Sequence, residues 1–176
     1  EPVAILWSDH LVKNIAGFKK VLFEAKNLVT QKSADLVFIG QKPRFANQNM
    51  GWIEVASTIE EKDGIHVQAF KKLYYRPKLE QAVEYFENKN FVWNLGYFVT
   101  TPEYLLSLFE TFTPDMFTSL QEIGSAYNTD AYTEKLKTIY PSFEKISFDD
   151  AILVKMKETN TLVISTDLGW SDVGAW

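Results

Sequence analysis

The sequence contains no cysteine. That absence excludes disulfides, thiolate metal sites and cysteine nucleophiles together. Histidine is almost as scarce, with His10 and His66 alone, so an all-histidine zinc site is excluded as well. Any metal must then be held mainly by oxygens, which favours a hard cation such as magnesium. Arginine occurs at two positions, Arg44 and Arg76, among 18 cationic residues, so each invites the question of what it binds. No apolar run approaches a membrane span and nothing resembles a signal peptide, which makes the cytoplasm the default address and argues against a membrane partner. The formal net charge of -5 argues against a nucleic-acid partner, since no broad basic face is available.

What is present is a globular composition. Hydrophobic residues make up 46% of 176 and aromatics 15%, enough for one packed core and short of two full domains. A single domain over 1–176 is the expectation. The chain opens at Glu1-Pro2 without an initiator methionine and closes on Gly174-Ala175-Trp176 within a turn, so both ends read as cuts in a longer protein.

The apolar pattern predicts the elements. Val3-Ala4-Ile5-Leu6-Trp7 is a continuous apolar run, expected as a strand buried on both faces. Residues 14–30 follow helical spacing, with Ile15, Phe18, Val21, Leu22, Ala25 and Leu28 on one stripe. Residues 35–39 read as a second buried strand, so the opening predicts a βαβ unit in a parallel sheet. Short strands are expected at 52–55 and 66–70, with a turn at Asp63-Gly64. A helix over 79–86 and a strand over 91–100, interrupted at Asn94-Leu95-Gly96, come next. Helices over 102–111, 114–123, 129–139 and 147–156 precede a final strand over 161–166. The fold class is α/β: a mixed, partly parallel sheet flanked by helices, with an inserted helical section.

Several residues stand out chemically. Asp9 directly follows the first strand, where α/β sheets gather ligands, although an acid there can equally cap the next segment. His10 beside it suits packing or hydrogen bonding better than ligation. Gly169-Trp170-Ser171-Asp172-Val173-Gly174-Ala175-Trp176 reads as a tight loop that presents Asp172 over packed tryptophans, or as a structural turn. Asn94 sits between Trp93 and a Leu-Gly pair; its amide can bond a sugar hydroxyl or cap the local backbone. Arg76-Pro77 is a cation at a rigid turn, a phosphate clamp or a solvated side chain. Lys155 lies in the segment opened by Ser147, where most lysines face solvent.

Taken in order, Ser8-Asp9-His10, Gly51-Trp52-Ile53-Glu54, Arg76-Pro77, Trp93-Asn94-Leu95-Gly96, Ser147-Phe148-Asp149 and the 169–176 motif resemble the motif series of the mannose-1-phosphate guanylyltransferases. The Trp-Ser-Asp-Val-Gly form of the last motif is the most specific. The resemblance implies an incomplete Rossmann-like sugar nucleotidyltransferase domain that serves the sugar phosphate. Its reaction would form GDP-mannose and pyrophosphate from GTP and mannose 1-phosphate with Mg2+ as cofactor. It further implies that Asp9 and Asp172 hold the metal and act catalytically. Arg76 would hold the sugar phosphate, Gly51 would admit the sugar to the backbone, and Asn94 would bond a hydroxyl. Lys155 would supply a supporting charge. Asp149 matches the acid of the same motif, with a capping or indirect role favoured over direct contact.

The chain departs from this pattern at three places. Tyr75-Arg76-Pro77 replaces a Glu-Lys-Pro triplet, so Tyr75 would have to replace a sugar-bonding carboxylate with one hydroxyl. Asn49-Met50-Gly51 replaces a Gly-Tyr-Gly turn. No glycine-rich triphosphate loop occurs, so the chain by itself is expected to turn over nothing. A sheet lacking its first strands would bare an edge that pairs with another chain, which leaves room for a homo-oligomer. Two rival readings follow: a pyrophosphorylase for another hexose 1-phosphate, and a non-catalytic regulatory paralogue that binds a nucleotide sugar. The sharpest expectation is spatial. Asp9 and Asp172 should meet with carboxylates within roughly 8 Å.

Overall fold

The computed structural model describes residues 1–157 and 160–174. The chain divides into two compact units, Glu1–Pro102 with Met156–Trp176, and Glu103–Lys155.

The first unit is built on a mixed sheet. Its elements are β1 (Val3–Ile5), β2 (His10–Val12), α1 (Ile15–Thr30), β3 (Leu36–Gln41), β4 (Gly51–Lys62), β5 (Ile65–Tyr74), α2 (Leu79–Glu87), β6 (Phe91–Thr100), β7 (Thr161–Thr166) and β8 (Trp170–Asp172). The strand order is β1-β6-β3-β7-β5-β4, and β4 also pairs with β6, so the hydrogen-bonded neighbours run in a closed circuit. The parallel part is β3 with β7, in register from Leu36↔Thr161 to Gln41↔Thr166. β1 and β3 flank β6, each antiparallel to it. The expected βαβ unit therefore has an antiparallel strand between its two β-strands.

Helix α1 packs on one face of this sheet through Val21, Ala25 and Val29, spaced by four residues and buried. Asn14 caps it, its Oδ1 accepting from the Gly17 N–H at 2.9 Å. Ile15 departs from the predicted stripe and is 62% exposed, because it sits in the first turn before the helix meets the sheet. Helix α2 adds Ala82 to the same core. The opposite face buries Leu36, Phe38, Phe70, Phe98 and Val163, with Phe38 stacked on Phe70 at 5.3 Å.

The hairpin of β4 and β5 is longer than its sequence predicts. Asp63 and Gly64, both with positive φ, form the tight turn between them. Lys20 on α1 ties the Asp63 carboxylate to the helix.

The first apolar run is not buried on both faces. It contributes a three-residue strand that pairs with β6 alone, and Leu6 and Trp7 are 42% and 54% exposed. An apolar run reports which faces could be buried, and an edge strand with one neighbour leaves part of them open.

The second unit holds α3 from Pro102–Phe112, α4 (Pro114–Ser125), α5 (Tyr132–Ile139) and α6 (Phe148–Ala151). Proline opens both α3 and α4, where its missing N–H costs nothing. Leu108, Ile123, Ala151, Ile152 and Leu153 are buried in this unit. The helix predicted over 147–156 is one α-helical turn followed by a 3₁₀ turn at Leu153–Lys155. Ser147 caps the first turn, but β-branched Ile152 leaves helical geometry at φ −129° and ends it. No helix among the described residues is long and apolar enough to cross a membrane.

Candidate functional site

Two clusters of the predicted residues assemble in the first unit. One lies where β7 turns into β8. The other lies where β4 begins beside β6.

The strands β2 and β8 form a separate antiparallel ribbon in which His10 pairs with Asp172. Asp9 immediately precedes β2, so the two acids, 163 positions apart in sequence, become neighbours across the ribbon. Gly174 fixes their separation. Its N–H donates to Asp172 Oδ1 at 3.0 Å, and a Cβ in its place would run into the Asp9 carboxylate. With the backbone geometry of one residue between these contacts, the two carboxylates lie within about 8 Å of each other. Both residues are exposed. Ala175 and Trp176 of the same motif lie outside the described residues.

Beneath the ribbon, His10, Tyr97 and Trp170 form a hydrogen-bonded aromatic base. The Trp170 indole N–H donates to His10 Nδ1 at 3.2 Å. The Tyr97 hydroxyl lies 2.9 Å from the same Nδ1. Burial pushes the Tyr97 hydroxyl pKa up; the Trp170 N–H opposes this, and the negative charges of Asp9 and Asp172 add to it. Both carboxylates therefore act on one phenol.

The donor set suits magnesium. Two carboxylates and open solvent match an ion that keeps several waters and takes one or two protein carboxylates. Among the described residues no group of three or more His, Cys, Asp or Glu could form a denser cage.

At the second cluster, Gly51 and Asn94 face each other across β4 and β6. A Cβ on Gly51 would lie 3.1 Å from the Asn94 Cβ and 3.3 Å from its Nδ2, so the asparagine occupies the space the glycine leaves. Asn94 Oδ1 accepts the Gly96 N–H at 3.0 Å and holds a bulge in β6, where Gly96 has φ +71°. The capping role is thus filled by the oxygen. Nδ2 donates to no described residue.

Tyr75 and Arg76 follow β5, whose Tyr74 pairs with Trp52 next to Gly51. The Arg76 guanidinium lies 5.2 Å over the Tyr75 ring. Arg76 is exposed and its φ is +45°, a conformation a non-glycine residue adopts at a cost. Tyr74 donates to Glu54 Oε2 at 3.0 Å, and burial together with that carboxylate pushes its pKa up to about 12.

Asp149 and Lys155 belong to the second unit. Asp149 lies in the first turn of α6. Lys155 Nζ donates to the Phe112 carbonyl at 3.4 Å and lines a cavity of about 380 Å³ with Asp115 and Glu144.

Sequence reasoning passed over the residues that hold the ribbon: Gln41, Asp167 and Tyr97. Gln41 carried a usable signal, a polar amide closing an otherwise apolar buried run, where it must find partners. A cleft of about 980 Å³ in the first unit, lined by Lys42, His66, Gln68, Lys89 and Asp167, contains none of the predicted residues.

These features define an α/β protein with a pair of carboxylates gathered beyond the ends of its parallel strands. Two solved structures share its fold. One, described as mannose-1-phosphate geranyltransferase from Thermus thermophilus, superposes with a TM-score of 0.80 at 22% identity, over 100% of this chain and 48% of that one. The other, mannose-6-phosphate isomerase from Helicobacter pylori, has a TM-score of 0.74 at 20% identity, over 97% and 64%. No family model matches the chain.

Over nearly its whole length the chain resembles curated mannose-1-phosphate guanylyltransferases. It is 27% identical to that of Escherichia coli over 98% of this chain and 36% of that protein. To that of Sinorhizobium fredii it is 28% identical over 98% and 32%. It is also 27% identical to the xanthan biosynthesis protein XanB of Xanthomonas campestris over 98% and 35%. The chain spans about a third of the length of these relatives.

Proposed function

We propose that this chain is the sugar-phosphate- and metal-binding part of a nucleotidyltransferase that forms GDP-mannose and pyrophosphate from GTP and mannose 1-phosphate. The observation that carries the reading is the meeting of Asp9 and Asp172 around Gly174. In this reaction a phosphate oxygen of mannose 1-phosphate attacks the α-phosphorus of GTP. The bond from that phosphorus to the bridging oxygen breaks, and its electrons leave with pyrophosphate. Catalysis of this kind is chiefly positioning and charge neutralisation.

Each residue has a role in that scheme. Asp9 and Asp172 would hold Mg2+, which when bound neutralises charge on the reacting phosphates. Arg76, exposed and strained, holds the sugar phosphate. Asn94 offers Nδ2 to a hydroxyl, while its Oδ1 keeps the strand bulged and the amide oriented. Tyr75 lies beneath Arg76 and forms a wall of the sugar site. For the second unit, the motif resemblance gives Lys155 a supporting charge and Asp149 the turn that leads to it.

Binding tests this reading directly. Mn2+, followed by electron paramagnetic resonance, should bind the chain in a manner that Asp9→Ala and Asp172→Ala each weaken by about a hundredfold. Mannose 1-phosphate, followed by calorimetry, should bind in a manner that Arg76→Ala weakens. Binding of neither probe would defeat the proposal. A second reading, a pyrophosphorylase for another hexose 1-phosphate, is favoured by Tyr75 standing in place of a carboxylate. Tighter binding of glucose 1-phosphate than of mannose 1-phosphate would select it.

A further inference from the structure

We propose that Gln41, assisted by Arg44, is a positioning residue for the Asp9–Asp172 pair: a buried amide clamp that sets the direction in which β8 leaves the sheet. The inference rests on the metal-binding reading above.

Gln41 ends β3 and is 0% exposed. Its amide is engaged at both ends. Nε2 donates to Asp167 Oδ1 at 2.9 Å and to the Lys42 carbonyl at 3.1 Å, while Oε1 accepts the Leu168 N–H at 2.9 Å. Asp167 Oδ1 also takes the Gly169 N–H at 3.0 Å, and the Asn14 N–H donates to the Leu168 carbonyl at 3.0 Å, so Gln41 shares the fastening of the turn out of β7 with the residue that caps α1. One residue further on, Arg44 Nη2 donates to the Trp170 carbonyl at 2.7 Å, and its guanidinium lies 5.8 Å over Trp93. Leu168, between the two fastenings, is buried.

Beyond Trp170 this support stops. β8 pairs with β2 alone, so the ribbon takes its direction from the turn that launches it, together with the His10–Tyr97 contact and the anchoring of Asn14 after β2. With both amide ends occupied, Gln41 has no group left for a ligand, and its effect on Asp172 passes through the backbone. Outer residues that orient metal ligands typically change metal affinity about 10–100-fold when replaced.

Two variants of the whole chain test the clamp, with Mn2+ affinity as the readout. Gln41→Met removes both sets of bonds at similar length and should weaken Mn2+ about tenfold at every pH from 5 to 7.5. Gln41→Glu keeps an acceptor for Leu168 but sets a carboxylate against Asp167 Oδ1. Lys42 and Arg44 face that pair, and Glu61 and His66 line the same cleft as Asp167. Two close carboxylates share a proton as pH falls, which restores a donor. Affinity relative to the unaltered chain at the same pH should therefore be lowest at pH 7.5 and recover toward pH 5. If Gln41→Met does not fold, this recovery decides the matter. Unaltered Mn2+ affinity in both variants, or a loss in Gln41→Glu that ignores pH, would overturn the clamp. Failure of the unaltered chain to bind Mn2+ would overturn the metal reading, and the clamp with it.

Discussion

The two halves of the candidate site are built on opposite plans. The ribbon that carries Asp9 and Asp172 is fastened by a buried amide, a guanidinium on a backbone carbonyl, and the His10–Tyr97–Trp170 base. The turn that carries Tyr75 and Arg76 has one cation–aromatic contact and an arginine at φ +45°. The difference follows from what each half must hold. Two carboxylates repel one another before a cation arrives, so the protein must supply the force that keeps them together. A single arginine faces no such repulsion and would need no ordering beyond what a bound phosphate supplies. Preorganisation is concentrated where charge opposes assembly.

Removing either carboxylate should give the largest effect. Asp172→Ala and Asp9→Ala are each expected to weaken Mn2+ by about a hundredfold, the upper range for a charge-assisted contact, with mannose 1-phosphate affinity nearly unchanged in the absence of metal. Electron paramagnetic resonance and calorimetry on the same samples check both halves of that statement. Equal loss of both ligands would erase the distinction between the two clusters.

Arg76 should show the reverse. Arg76→Gly removes the guanidinium and relieves the left-handed backbone, so mannose 1-phosphate affinity should fall about ten- to a hundredfold. Thermal stability should rise by about 1 kcal/mol, because glycine adopts that conformation without strain. A drop in melting temperature would mean that Arg76 supports the fold and is no spare, ligand-directed cation.

Gly174→Ala probes the spacing of the carboxylates with their charges intact. The added methyl meets the Asp9 carboxylate, which must turn away. A loss of Mn2+ affinity of about tenfold is expected, as for other changes that misorient a ligand. An unchanged affinity would show that Asp9 is free to move and that the ribbon is less rigid than its bonds imply.

The smallest effect concerns pH at the second cluster. The Tyr74 hydroxyl titrates at about 12, raised by burial and by Glu54. A group whose pKa is raised on folding adds stability that is complete below its unfolded value, near 10, and is lost as pH climbs through the folded value. Tyr74→Phe should therefore flatten the decline in stability between about pH 10 and 12 without altering Mn2+ binding. An identical alkaline profile in the variant would place that decline elsewhere.

How much of this was legible beforehand varied with the kind of signal. Helix α1 was read from Val21 and Ala25 because helical spacing is a local property, and the hairpin turn was read from Asp63-Gly64 because positive φ has few residue solutions. Exposure of the first apolar run was not legible, since burial of Leu6 and Trp7 depends on what lies alongside. The helix expected after Ser147 stopped early because hydrophobic content does not reveal where Ile152 leaves helical geometry. At the site, the residue types of Asp9, Asp172, Asn94 and Arg76 were apparent. Asn94 illustrates the limit: from sequence its amide could cap the backbone or serve a ligand, and in the fold its oxygen does the first while its nitrogen remains for the second.

Composition and order along the chain determined the class of chemistry open to this protein. Without cysteine and with two histidines, any metal held by this chain would rest on oxygens, and two acids within ordered motifs offer them. Tertiary structure decided that those acids share one glycine, that an amide on β3 holds the turn into β8, and that Arg76 stands apart in a strained conformation. The physical reason is range. Residue type and local spacing are carried by near neighbours, whereas contacts such as Gln41 to Leu168, 127 positions apart, exist only once strands from distant segments lie side by side.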